Sequence, residues 1–203
     1  MRIENCLKLM KDLNCDALLL LNESNMHYLC GFSPSEGVVL LLKNGSGYHI
    51  VDSRYTEEAE CHAKETGLSA IEIANKFSDT VAALCKKNSI KTIAYENETI
   101  SLKSFHTFKE ATHCDFIGID DKLMKIRNIK SNEEIEMMIK ANDIAEKSFL
   151  ELLNFVKTGK SEKELQAYFD YLMAKNGSDG LSFSTILLTG THTSLPHGVP
   201  SDK

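Results

Sequence analysis

Ile3, Leu7, Met10 and Leu13 fall on one face of a helix, and the apolar run 17–21 follows at once. A run that short, bounded by polar residues, reads as a strand buried on both faces (16–21 with its flank). Runs 37–43 and 48–52 are alike, and Asn44-Gly45-Ser46-Gly47 joins them. Asn and Gly tolerate positive φ, so the joint predicts a hairpin. Further strands are predicted near 69–73, 92–95 and 115–119. Helices are predicted over 53–65, 79–87 and 102–111, with Ser78 and Ser101 placed to cap the last two. About six short strands with interleaved helices predict an α/β domain of three layers. Its sheet must be mixed, because the hairpin requires an antiparallel pair.

The pattern changes after residue 120. Ser131-Asn132-Glu133-Glu134 is a capping box, and it opens a long helix striped with Ile135, Met138, Ile139, Ala145, Phe149, Leu152, Leu153 and Val156. Gly159 is the expected C′ residue of that helix. Ser161-Glu162-Lys163-Glu164 is a second box, opening a helix with Leu165, Tyr168, Phe169 and Leu172 on one side, and Asn176-Gly177 is its natural stop. Residues 183–188 read as a strand, and a polar tail follows. A boundary near 123–131 divides the chain into domains 1–123 and 124–203. Two helices and one strand enclose little core, so the second domain is expected to be incomplete.

Composition narrows the function classes. Of 203 residues, 42% are hydrophobic and 26% charged, with 3 prolines, which excludes a disordered or collagen-like chain. The net charge of −6 argues against a nucleic-acid partner, because phosphate neutralisation needs a basic face. No apolar run is long enough to span a membrane, and residues 1–5 lack a signal peptide's pattern. The 6 cysteines (Cys6, Cys15, Cys30, Cys61, Cys85 and Cys114) form no C-x-x-C pair. They read as reduced, buried thiols of a cytoplasmic protein.

Candidate chemistry is densest in residues 189–200, which hold His192, His197, four hydroxyl residues, two glycines and two prolines directly after the predicted strand. Such a loop can present an imidazole on a rigid support. His197 sits between Pro196 and Gly198, where a glycine lets a substrate approach, and could donate a proton or stabilise an oxyanion; an exposed loop histidine is the plainer alternative. His192 and His197 have no carboxylate or cysteine at ligand spacing, so a metal site built on them is not expected. Residues 25–32 and 52–55 read as structural joints: Asp52 or Ser53 as a helix cap, Arg54 as a partner of Glu57 or Glu58, and Gly31-Phe32 before Ser33-Pro34 as a turn beside packed aromatics. No phosphate loop, dinucleotide fingerprint, nucleophile elbow or H-E-x-x-H motif occurs.

Five segments in order resemble the Xaa-Pro peptidase family of aminopeptidase P, prolidase and creatinase. They are Asn25-x-x-Tyr28-Leu29-x-Gly31-Phe32; Asp52-Ser53-Arg54-Tyr55; and Ile126-Arg127-x-Ile129-Lys130-Ser131-x-x-Glu134-Ile135. Gly159-Lys160-Ser161-Glu162 with Glu164-Leu165 follows, and then 183–190 leading into Leu195-Pro196-His197-Gly198. The resemblance implies a creatinase-like N-terminal domain and the first part of a pita-bread α+β catalytic domain. It implies hydrolysis at proline by two divalent metal ions (Mn, Co or Zn) in the full-length parent, which polarise the scissile carbonyl. By the same resemblance His197 contacts the substrate and stabilises the tetrahedral intermediate, and Phe183 lines the substrate pocket. The family's metal ligands follow the His-Gly pair, so none is expected among these residues, and the chain alone is expected to be inactive. A homodimer and a proline-containing peptide are the implied partners. The rival expectation is a non-catalytic module for binding or dimerisation, since peptidase-like N-terminal domains also occur in inactive proteins.

Overall fold

The computed structural model describes residues 2–32, 34–73 and 75–203; Ser33, in the turn expected after Phe32, lies outside them. The chain divides into two units, Met1–Ile129 and Lys130–Lys203.

In the first unit the elements run α1 (Arg2–Asp12), β1 (Ala17–Leu20), α2 (Glu23–Cys30), β2 (Gly37–Leu42), β3 (Gly47–Val51), α3 (Thr56–Thr66) and β4 (Ser69–Glu72). There follow α4 (Phe77–Lys87), β5 (Thr92–Tyr95), α5 (Leu102–Thr112), β6 (Asp115–Gly118) and α6 (Lys122–Asn128). The six strands form one mixed sheet in the order β4-β3-β2-β1-β5-β6. β2 is antiparallel to both β1 and β3, and the other three pairings are parallel. The hairpin therefore accounts for one of two antiparallel pairs.

Strand periodicity sorts the apolar side chains cleanly. Leu18, Leu20, Val39, Leu41 and Ala94 face Cys6 and Met10 of α1, Met26 and Leu29 of α2, and Leu123 of α6. Ala17, Leu19, Leu40, Ile50 and Ile93 face Val81, Leu84 and Cys85 of α4 and Phe108 of α5. The three layers are helix, sheet and helix, as the alternation of elements implied. All six cysteines are free, and only Cys61 is exposed. Burial pushes the Cys6 and Cys30 thiols up to about 12, so they act as small apolar fillers.

Gly47 opens β3 where the hairpin closes. A Cβ there would lie 2.7 Å from the Leu40 carbonyl oxygen and 2.9 Å from Leu68 Cδ2. The obstructing oxygen belongs to the neighbouring strand, so it can move only with the sheet. Gly47→Ala is expected to destabilise this unit by about 1–3 kcal/mol, read by urea unfolding. A neutral substitution would show that the hairpin gives way without strain.

The second unit holds α7 (Asn132–Leu153) and α8 (Glu162–Lys175). Both capping boxes form: the Ser131 and Ser161 hydroxyls accept the backbone N–H of Glu134 and Glu164, and both glutamates accept from the serine N–H. Leu152, Leu165 and Leu172 pack with Phe155, Tyr168, Phe169 and Leu187 between the helices. Asn176, the expected stop, ties the elements together by donating to Ser148 Oγ at 3.1 Å.

Several expectations are corrected. α7 stops at Leu153 with Asn154 as its cap, so Val156 and Gly159 lie in the loop beyond it. α4 is capped at Lys76, and Ser78 is buried in its first turn. Arg54 pairs with Asp52 at 2.6 Å, not with Glu57 or Glu58, and Tyr55 takes the cap position of α3. Residues 183–188 form no strand: they run irregularly beside α8, with Leu187 in the interhelical core. A strand needs neighbours for its backbone groups, and no ladder partner lies among the described residues. Most of the α7 stripe is exposed, with Met138 at 58% and Ile139 at 56%.

Candidate functional site

The loop 189–201 leaves the end of the irregular segment, makes a 3-10 turn at Gly190–Ser194, and returns to the start of α8. The backbone N–H groups of Glu162 and Lys163, otherwise orphans of the helix N-terminus, donate to the carbonyls of Lys203 (2.8 Å) and Ser201 (3.1 Å). The tail thus finishes the cap that Ser161 begins.

Glu162 holds the loop from beneath. One of its oxygens, Oε1, accepts the Thr189 N–H at 2.7 Å. The other, Oε2, accepts the Ser201 N–H at 2.9 Å and hydroxyl at 2.8 Å. His192 Nδ1 approaches the two oxygens at 3.0 and 2.8 Å. The Glu162 side chain is 0% exposed. Burial opposes its charged form, but the donors from Thr189, Ser201 and His192 outweigh burial and hold the carboxyl down at about 2. One buried carboxylate therefore fastens residues 189 and 201, at opposite ends of the loop.

His197 lies between those fastened ends and is exposed. Phe183 is 74% exposed and belongs to no hydrophobic cluster among the described residues. Gly198 is buried, and a Cβ on it would lie 2.6 Å from Leu188 Cδ1. Its missing side chain makes room for Leu188, where the sequence suggested room for a substrate. His192 and His197 are not joined in a common site; His192 is turned to Glu162. As a site residue Glu162 escaped the sequence reading, which gave it a place in a capping box and in a family-like segment but no link to the loop. The box needs Glu164 alone, and the spare acidic residue was the available signal.

Among the described residues no group of three or more His, Cys, Asp or Glu side chains could hold a metal ion. Glu162 and His192 already engage each other, so the residues present do not fit the two-metal centre that the resemblance implies.

The joints in the first unit are structural. Asn25 donates through Nδ2 to Glu96 Oε1 and accepts from Arg127 Nη1 at 2.7 Å. The Leu21 and Asn22 N–H groups donate to Glu96 Oε2, the latter at 2.8 Å. Two of the family-like segments thus meet at the Asn25 amide, which in turn reaches a buried carboxyl (Glu96 is 3% exposed). Phe32 stacks on His62 at 5.5 Å between ring centroids and lies 5.4 Å from His49. No described helix is long and apolar enough to cross a membrane.

Comparison with known proteins agrees with this picture. Residues 2–129 match the family described as Creatinase/Prolidase N-terminal domain, and residues 136–203 match Metallopeptidase family M24. The chain is 35% identical over 208 residues to an Xaa-Pro dipeptidase of Pyrococcus furiosus, covering 100% of this chain and 56% of that protein. A solved Xaa-Pro dipeptidase from Bacillus anthracis superposes with a TM-score of 0.90 at 33% identity, over 100% of this chain and 56% of that one. An X-Pro aminopeptidase from Thermotoga maritima gives 0.86 at 35% identity, over 96% and 56%. The chain thus spans little more than half the length of these relatives. With a mixed six-stranded sheet and a matching sequence throughout its first unit, the chain belongs to the creatinase/prolidase N-terminal domain family and carries the start of an M24 peptidase domain behind it.

Proposed function

We propose that this chain provides the N-terminal domain (assigned to 1–123) and the opening part of the catalytic domain (124–203) of a cytoplasmic, homodimeric Xaa-Pro peptidase. The parent hydrolyses the peptide bond before or at proline. The observation that carries this reading is the succession of two family matches along one chain, creatinase/prolidase and then M24. His197 is the substrate-facing histidine, offering a hydrogen bond or proton to the oxyanion of the tetrahedral intermediate. Its exposure on a loop fastened at both ends supports that role. Phe183, also exposed, lines the pocket for the substrate side chain. The parent is a metallopeptidase of the pita-bread fold, its Mn, Co or Zn ions held by other residues.

The 203-residue chain alone is expected to release no amino acid from an Xaa-Pro dipeptide or longer Xaa-Pro peptide in Mn²⁺ or Co²⁺. The same protein extended to its relatives' length is expected to turn these peptides over, and His197→Ala to lower kcat/KM about a hundred- to a thousand-fold. Turnover by the short chain would overturn its inactivity. A folded, metal-loaded longer protein without Xaa-Pro turnover would overturn the reading itself.

A further inference from the structure

Glu162 is the first residue of α8, yet its carboxylate does no capping there. Its four donors are the Thr189 N–H, the Ser201 N–H and hydroxyl, and His192 Nδ1. None is a lysine or arginine. Three of these donors are fixed in kind, because a backbone N–H or a hydroxyl can only offer its proton to a carboxylate. The fourth is not, because a neutral imidazole carries its proton on either nitrogen.

The chemistry of the pair decides which. A carboxyl held down at about 2 is deprotonated throughout the physiological range and has no proton to offer. Contacts of 2.8 and 3.0 Å from one nitrogen to its two oxygens are attractive only if that nitrogen bears the hydrogen. A bare Nδ1 would instead press a lone pair against two anionic oxygens inside a site from which water is excluded. Free imidazoles in peptides favour the opposite form, with the proton on Nε2. His192 Nε2 makes no hydrogen bond within the described residues and is not shut away from solvent.

We propose that Glu162 is a positioning residue of the loop 189–201: its carboxylate locks neutral His192 in the Nδ1–H tautomer, leaving the Nε2 lone pair as a proton acceptor on the same loop as His197. The loop then presents two imidazoles with different duties. His197 is exposed, and His192 is oriented by a carboxylate, the arrangement that fixes tautomers in catalytic and metal-bound histidines alike. An acceptor of fixed direction suits a protonated amine or a water, and does not suit an oxyanion. The inference rests on the reading that this loop belongs to a peptidase site.

The test uses the 203-residue chain labelled with ¹⁵N-histidine, with two-bond ¹H–¹⁵N correlations recorded at about pH 8, where histidine is mostly neutral. His192, assigned through His192→Gln, is expected as Nδ1–H with a bare Nε2. In Glu162→Gln the amide can itself donate to Nδ1, so the preference is expected to collapse toward Nε2–H. The Thr189 and Ser201 amides are expected to exchange at least about tenfold faster. Glu162→Asp should recover part of the wild-type signature. A role in packing alone would leave the tautomer unmoved. An Nε2–H or mixed His192 in the wild type overturns the proposal, and this holds even if Glu162→Gln does not fold; so does an unchanged tautomer in a folded Glu162→Gln. No outcome depends on turnover, so failure here leaves the peptidase reading standing, and failure of turnover leaves this result standing.

Discussion

Acidification from about pH 7.5 to about pH 4 is expected to remove about 3 kcal/mol of stability from the first unit through His49 alone. His49 is in β3, 2% exposed, with Nε2 buried and without a hydrogen-bond partner among the described residues. Burial, and in second place the neighbouring His62, pushes its imidazole from the ordinary 6.5 down to about 4. The unfolded chain therefore takes up this proton at a higher pH than the folded one. The contribution is complete above about pH 6.5 and drains away as pH falls toward about 4. Carboxylates with depressed values, Asp16 and Asp52 among them, add their own losses at lower pH. The variant His49→Leu separates the two. Urea unfolding across the range should show the wild type losing about 3 kcal/mol more than the variant. Parallel losses would show that His49 is not the responsible group.

Glu96→Ala is expected to destabilise the same unit by about 3–5 kcal/mol, measured by urea unfolding near neutral pH. The substitution strands the backbone N–H groups of Leu21 and Asn22, which have the Glu96 carboxyl as their acceptor just beyond β1. It also frees the Asn25 side chain that Arg127 grips from the end of α6. Apolar burial lost from a short, polar side chain would account for less than 1 kcal/mol. A measured effect that small would mean that water reaches these groups and replaces the carboxyl.

The strands were legible because each is a short apolar run, such as Ala17 to Leu20 or Val38 to Leu42, that fits no helical period. The helices that escaped are short. In α2, His27 and Asn25 break the apolar pattern, because Asn25 serves the Glu96 network and not the core. α6 has only seven residues, too few for a period to show. Residues 183–188 misled for a different reason. Their composition suits a strand, but a strand is a property of a pair, and composition does not say whether a partner is present. At the candidate site the loop and its histidines were visible as a cluster of reactive types. The link from Glu162 to positions 189, 192 and 201 was not, since contacts across 27 to 39 residues leave no local periodicity. The same holds for Phe32, His49 and His62, three scattered positions that meet only when β3 lies beneath α3.

The middle of the sheet also sets an order of events during synthesis. β1 occupies residues 17–20, but its parallel neighbour β5 begins only at Thr92, and Glu96 follows directly after it. At about 5–20 residues per second, the ribosome needs roughly 4–15 seconds to bridge that interval. For that time β1, β2 and β3 can close as a meander while one side of Leu18 and Leu19 waits uncovered. The emergence of Glu96 is then the moment at which the growing chain gains both its central strand pairing and the acceptor that the turn after β1 requires.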